Sequence, residues 1–224
     1  MLPAQRRLWP ELRPSLALGF VLYGGTAVSL HLGHRRSVDF DFFHDRPLDR
    51  ERIRAHFPAM REAKVLQEGP DTLVVAASAS AGARQRIKVS FFGGLTFGRV
   101  GDPLITEDGV LEVASLDDLL AHKLRVVLQR VERKDYQDLA SMIRAGCSVA
   151  RGLAAARAFF KPAFQPLASL KALTYFQGGD LARLSRRDRD TLIGAAAVVG
   201  DLPRVALRSR KLAIPIQPTA ALRP

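Results

Sequence analysis

The alternation Val38-Asp39-Phe40-Asp41-Phe42-Phe43 constrains this chain more than any other stretch. Successive side chains of an extended strand point to opposite faces, so Val38, Phe40 and Phe42 predict a buried face while Asp39 and Asp41 share the other. At roughly 3.3 Å per residue the two carboxylates stand roughly 6.6 Å apart along the strand. That spacing lets them ligate one ion or two neighbouring ions, and magnesium suits such oxygen ligands. A lone Asp-x-Asp is common on a solvated strand face; what precedes it narrows the reading. Phe20 to Tyr23 is an apolar run short enough for a buried strand, Gly24-Gly25 stops it, and Thr26 to Leu32 has helical composition. A helix headed by Gly25 or Thr26 turns its first free N–H groups outward as an anion site, and phosphate is the obvious guest.

This strand–helix–strand unit, with the basic turn His34-Arg35-Arg36-Ser37 before the acidic strand, resembles the nucleotidyltransferase fold. Its wording, Gly-Gly-Thr-Ala through Gly-His-Arg-Arg-Ser-Val-Asp-Phe-Asp-Phe-Phe, is similar to the nucleotidyltransferase-like toxin family named after AbiEii and AbiGii. Two later stretches, His122-Lys123-Leu124 through Arg130 and Lys134-Asp135-Tyr136-Gln137-Asp138-Leu139, resemble the second and third motifs of that family. The resemblance implies an enzyme that moves a nucleoside monophosphate from a nucleoside triphosphate to an acceptor. It implies Mg2+ on Asp39 and Asp41, and nucleotide contacts from Gly24, Gly25, Thr26, Arg35, Ser37, Lys123 and Arg130. It also implies a later aspartate needed for activity, either Asp135 or Asp138, and a tRNA acceptor together with a cognate antitoxin. One departure stands out. The fold generally carries a third acidic residue on the strand beside Asp-x-Asp, and here the stretch from Arg86 to Phe92 offers Ser90 in its place. A hydroxyl cannot accept a proton from an attacking group as a carboxylate does.

With 224 residues, 47% of them hydrophobic, the chain is globular and has material for a real core. The net charge of +12 predicts a polyanionic partner, nucleic acid or nucleotide phosphates. The single cysteine, Cys147, excludes an internal disulfide framework, fits a reducing cytoplasm, and reads as a small buried residue at a helix end. The uncharged run from Ser15 to Gly33 superficially resembles a signal peptide, but Gly24-Gly25 breaks it and it leads directly into the acidic strand. No segment is long and apolar enough to span a membrane. The five histidines form no ligand motif; His34 shapes the turn before the acidic strand, with His31 and His44 flanking it.

The reading is α+β: a nucleotidyltransferase domain with a mixed sheet over residues 1–114, then a helical C-terminal domain over residues 115–224. Short helical pieces with Trp9 as a packing residue precede the first strand, and a helix ended by Pro58 follows the acidic one. Strands are predicted over 64–67, 72–77 and 86–92, with a hairpin connection over 76–82. Arg84, Arg86 and Lys88 share one face of the last, either exposed or a wall of the nucleotide cleft. Ser115 to Asp118 reads as a capping box that starts one helix running to about Ala145. At about 100° per residue, Leu124, Val127, Leu128, Val131 and Met142 form its buried stripe. Lys123, Arg130, Lys134 and Asp138 fall along the edge, while Asp135 falls inside, where a carboxylate needs a cation, a metal or backbone donors. That position favours Asp135 as the later aspartate. A rival reading pairs Lys134 with Asp138 as ordinary helix decoration and leaves Asp135 unexplained.

Helices are also predicted over 149–161, 166–176 and 188–199, ahead of a tail from Ile214 with three prolines and no pattern. From Arg151 to Pro224 there are 13 Lys and Arg against 4 Asp, a balance of +9, which leaves +3 for the first 150 residues. Arg183, Arg186, Arg187 and Arg189, then Arg204, Arg208, Arg210 and Lys211, form two clusters suited to RNA. Two rival functions stand beside this one: nucleotidyl transfer to a protein or small molecule, and a non-catalytic nucleotide- or RNA-binding module.

Overall fold

The computed structural model describes residues 1–78 and 85–214. Arg84, most of the expected hairpin connection and all but the first residue of the proline-bearing tail lie outside them. The chain opens with α1 (Pro3–Leu8), a 3-10 turn (Trp9–Leu12) and α2 (Pro14–Leu18), which Gly19 ends at φ 77°. It continues through β1 (Val21–Tyr23), α3 (Gly24–Leu32), β2 (Phe40–Phe43), α4 (Arg50–His56) and α5 (Pro58–Arg61). Strands β3 (Lys64–Gly69), β4 (Thr72–Ala77), β5 (Ile87–Phe92), β6 (Leu104–Ile105) and β7 (Glu112–Val113) follow. The helical half comprises α6 (Leu116–Val126), α7 (Arg133–Arg144), α8 (Val149–Phe160), α9 (Pro166–Thr174) and α10 (Arg186–Ala197). No helix among the described residues is long and apolar enough to cross a membrane.

Among the described residues seven strands form one mixed sheet in the order β3-β4-β5-β2-β1-β7-β6. β2 is antiparallel to β1 and parallel to β5, with Phe40 beside Val89 and Asp41 beside Ser90. The alternation works as the sequence predicts from Phe40 onward. Phe40 and Phe42 are wholly buried, and Phe42 stacks on Phe91 of the neighbouring strand. Trp9 packs against Phe40 and donates its indole N–H to Asp108 at 2.6 Å. Val38 departs from the pattern: it is 46% exposed, because the strand begins only at Phe40 and the Thr26 hydroxyl draws the Asp39 carbonyl toward α3.

The single helix expected from Ser115 to Ala145 is two helices. α6 ends at Val126, residues 127–132 turn, and α7 starts at Arg133 with Glu132 as an extended N-cap. No glycine or proline within residues 127–132 causes the break. The turn after α9 does: the Asp180 carboxylate accepts the Arg133 N–H at 2.6 Å, and Gly179 lies so close to the Val131 carbonyl that a Cβ would collide with it. Leu128 and Val131, assigned to a buried stripe, are therefore 40% and 43% exposed, whereas Leu124, Val127 and Met142 are buried. Lys134 pairs with Glu132 at 2.7 Å and not with Asp138.

The capping box at Ser115 is half formed. Ser115 accepts the Asp118 N–H as expected, but the Asp118 carboxylate takes the N–H groups of Val100 and Gly101 at 2.8 and 3.1 Å. Cys147 is half-buried, short of the full burial expected of it. One hydrophobic core continues through both halves, from Leu8 and Phe40 by way of Leu120 and Leu139 to Leu192 and Leu212. The chain's last described stretch returns to the sheet: Arg99 donates its N–H to the Ser209 carbonyl at 2.8 Å, and Ile214 donates to the Glu112 carboxylate at 2.7 Å.

Candidate active site

Three side chains of the first half set the acidic strand against the head of α3. Gln5 donates to the Ser37 carbonyl at 2.9 Å, the Ser29 hydroxyl to the Arg35 carbonyl at 2.6 Å, and the Thr26 hydroxyl to the Asp39 carbonyl. The Thr26 side chain, expected at a phosphate, is thus committed inside the protein and buried. Both glycines are required by close approach. Gly24 has φ 74°, and a Cβ there would lie 2.5 Å from Asp41 Oδ2; at Gly25 it would collide with the Arg35 guanidinium and lie 3.1 Å from Ser37 Oγ. The first N–H groups of α3 have no acceptor within the helix.

Asp39 and Asp41 open onto this cleft. Lys88 of β5 stands 3.1 Å from Asp39 Oδ2, so the basic face of that strand is a wall of the cleft at Lys88. Burial pushes the Asp41 carboxyl above its ordinary value, a rise that the Ser90 hydroxyl and Lys88 reduce. Ser90 occupies the neighbouring place in register, buried, as the sequence predicts.

Across the cleft lies a second pair of carboxylates, both fully buried. Lys123 Nζ bridges them, 2.6 Å from Asp135 and 2.7 Å from Asp138. Arg130 grips Asp135 with Nε at 2.8 Å and Nη2 at 3.1 Å. Arg35 grips Asp138 with Nε at 2.6 Å and Nη2 at 2.8 Å, and His34 Nε2 adds a contact at 2.7 Å. Burial by itself would raise both carboxyls. Hydrogen bonds from Arg130 to Asp135, and from His34 and Arg35 to Asp138, outweigh it together with the Lys123 charge and hold both below the usual carboxylate range. The helix break makes this possible: on one straight helix Lys123 and Asp135 would be about 18 Å apart along the axis, at 1.5 Å per residue.

The cleft has two chambers that share Gly25, Asp41, Phe92, Lys123 and Arg130. One, of 250 Å³, is mostly apolar, with Tyr23, Phe43, Leu119, His122 and Val126 in its walls and Gln129 among them. His122 packs among Tyr23, Phe43, Phe97, Phe159 and Phe160, and burial holds its pKa down to about 3, so it is neutral. The other, of 590 Å³, carries Asp39 and Asp41 among the cations Arg35, Arg36, Lys88, Lys123, Arg130 and Lys134. A separate groove of 410 Å³ at the far end of α3, lined by Trp9, Leu30, Leu104 and Glu107, holds none of the predicted site residues.

The structure therefore brings Gly24, Gly25, Arg35, Ser37, Asp39, Asp41, Lys123 and Arg130 to one cleft, with Asp135 behind Lys123. Residue-by-residue reading missed the Asp138 clamp by His34 and Arg35, whose only sequence signal was the basic turn itself. It left Lys88 undecided, although strand alternation had put that residue on the face of Ser90. The arginine clusters divide: Arg183, Arg187, Arg204 and Arg210 are exposed and Arg186 is 96% exposed, but Arg189 donates to the Leu181 and Ala182 carbonyls and Arg208 pairs with Asp102 at 2.6 Å.

Comparisons with known proteins bear on the family and the fold. A region of 127 residues is 31% identical to an uncharacterized protein of Aquifex aeolicus (strain VF5), covering 56% of this chain and 58% of that one. Among solved structures, a nucleotidyltransferase-type protein from H. pylori superposes with a TM-score of 0.57 at 14% identity, over 87% of this chain and 92% of the other, which shows the fold. An antigenic nucleotidyltransferase-like protein from Paracoccidioides brasiliensis aligns at a TM-score of 0.47 with 18% identity, over 86% and 93% of the two chains. The model of the nucleotidyl transferase AbiEii toxin family, a type IV toxin–antitoxin system, matches residues 7–204, and this chain belongs to that family.

Proposed function

We propose that the protein is a magnesium-dependent nucleotidyltransferase that acts on RNA, with tRNA as acceptor, as the toxin of a toxin–antitoxin pair in the cytoplasm. The observation that carries this reading is the convergence of Asp39, Asp41, Lys123 and the Gly24-Gly25 helix start on one cleft. The donor set fits the metal: two carboxylates offer hard oxygens, and Mg2+ commonly takes one or two carboxylates with the rest of its shell from water and substrate phosphates. Among the described residues no group of three or more His, Cys, Asp or Glu could hold a metal without such help. Bound there, Mg2+ would neutralise phosphate charge and align the attacking oxygen.

The nucleobase enters the apolar chamber beside Tyr23 and Phe43, and the triphosphate crosses the head of α3. The backbone N–H groups of Gly25 and Thr26 and the Ser37 hydroxyl donate to phosphate oxygens. An acceptor hydroxyl attacks the α-phosphorus, the bond from that phosphorus to the α,β-bridging oxygen breaks, and pyrophosphate leaves with the electron pair. Lys123 and Arg130 stabilise the charge that develops on it. Asp135 and Asp138 hold Lys123 in place, and Arg35 ties the phosphate-binding turn to Asp138. The hydroxyl proton leaves to water in the open cleft, since Ser90 cannot take it. The exposed Arg183, Arg186 and Arg187 support a polyanionic acceptor, as do the cleft cations Arg36 and Lys134. In domain terms, the nucleotidyltransferase unit runs to about residue 114 and the helical half closes over the nucleotide.

Incubating the protein with each labelled nucleoside triphosphate, magnesium and total RNA tests this. Label in RNA supports the proposal. Label in protein or in a small molecule would move the acceptor to the rival class, and no transfer to anything would leave a binding module.

A further inference from the structure

Asp39 has a cation partner among the protein's own side chains. Lys88 Nζ stands 3.1 Å from its Oδ2, and the parallel register of β2 and β5 explains why: Phe40 lies beside Val89, so the residues one step earlier, Asp39 and Lys88, are neighbours on the cleft face. One step later on that face Asp41 lies beside Ser90, where a third carboxylate is missing. On the two strands themselves two carboxylates face one ammonium, a net of −1, and Lys123 and Arg130 add positive charge from across the cleft. That suffices for one divalent cation and is poor for two. Both members are partly open to solvent, Lys88 by 44% and Asp39 by 31%, and the lysine stem is flexible enough to swing away.

We propose that Lys88 is a resident counterion of the Asp39–Asp41 pair. It occupies one cation place, so the free protein takes at most one divalent ion, weakly, and fills the site only when a nucleotide brings its own metal and draws Lys88 onto phosphate. This rests on the metal reading of Asp39 and Asp41 given above. Its consequence is a toxin that stays nearly free of metal until substrate arrives.

Titrating Mn2+ into the nucleotide-free protein, by calorimetry and by the loss of the free-ion paramagnetic resonance signal, tests this without any turnover. Wild type should bind at most one ion weakly, and Asp41→Asn should abolish that binding. Lys88→Met should tighten it by about ten- to a hundredfold, the scale on which one neighbouring charge acts at such a site. Lys88→Arg, which keeps the charge, should match wild type. Far-UV circular dichroism melts establish that each variant is folded, and Lys88→Gln gives the same comparison should the methionine variant fail to fold. Binding that Asp41→Asn abolishes but Lys88→Met leaves unchanged would overturn the role of Lys88 and spare the metal site. Absence of any binding sensitive to Asp41→Asn, in all variants, would overturn both.

Discussion

Asp39 with Asp41 and Asp135 with Asp138 are two carboxylate pairs on opposite sides of one cleft, and their surroundings give them opposite properties. The first pair opens to solvent, has one ammonium partner for Asp39, and includes a carboxyl that burial drives upward. The second is sealed, and two guanidinium groups, a bridging lysine and an imidazole supply its partners. Unsatisfied charge beside open space is available for a metal and a substrate; saturated charge in the interior holds other groups still. On the proposed reading the same side chain serves chemistry on one wall and positioning on the other, and the number of donors around it decides which.

The sharpest way to break this contrast is to delete one member from each side. Asp41→Ala should reduce nucleotidyl transfer to the level of a control without protein while leaving the thermal melt near wild type, because the raised carboxyl contributes little to stability when ionised. Asp138→Ala should do its damage in the melt. It leaves Arg35 and Lys123 short of a buried partner, and urea denaturation should show a loss of about 3–5 kcal/mol. If Asp138→Ala were silent in denaturation, the sealed pair would not be the positioning device described here.

Gly24→Ala tests the boundary between the two regions. A Cβ would press on Asp41 Oδ2 from a backbone at φ 74°, so stability should fall by about 1–2 kcal/mol for the left-handed conformation alone, and transfer should fall further than that loss explains. The smallest expected effect concerns His122. Its folded pKa is about 3, held down by burial and then by the Arg125 charge. Below its unfolded value of about 6.5 the unfolded chain takes up a proton that the folded chain refuses, so stability is full above that pH and is lost as pH falls. Relative to His122→Phe, wild type should lose roughly 0.7 kcal/mol between pH 7 and 6, measured by denaturation at both. Equal loss in the two proteins would put a partner or water on the imidazole.

Much of this was legible in the sequence because local periodicity carries it. Alternation in Phe40 to Phe43 fixed which face holds Asp41, and the double glycine marked the turn into α3. The break between α6 and α7 was not legible: its causes, Asp180 and Gly179, are supplied from about 50 residues away in sequence and leave no local mark at 127–132. The same limit explains the Asp135 result. The stripe map correctly put a carboxylate in the interior, yet the lysine that meets it arrives by a turn the map did not contain. Thr26 and Arg35 show the converse, residues whose types suit phosphate but whose polar atoms the fold had already engaged.

The return of the chain's last described stretch to Arg99 bears on when the chamber wall is completed during the protein's own synthesis. Ser209 lies 110 residues after Arg99, yet it pairs with the segment that presses Phe97 against His122 and Tyr23 in the wall of the apolar chamber. A nascent chain emerges in order, at about 5–20 residues per second, and that contact cannot form until Ser209 has left the ribosome. For seconds of every round of translation the acidic strand, the glycine turn and Lys123 are all present while the wall beside them lacks its brace. A truncation just before Leu207 removes that contact, so the released chain should keep an unbraced chamber wall and bind nucleotide more weakly than the full chain.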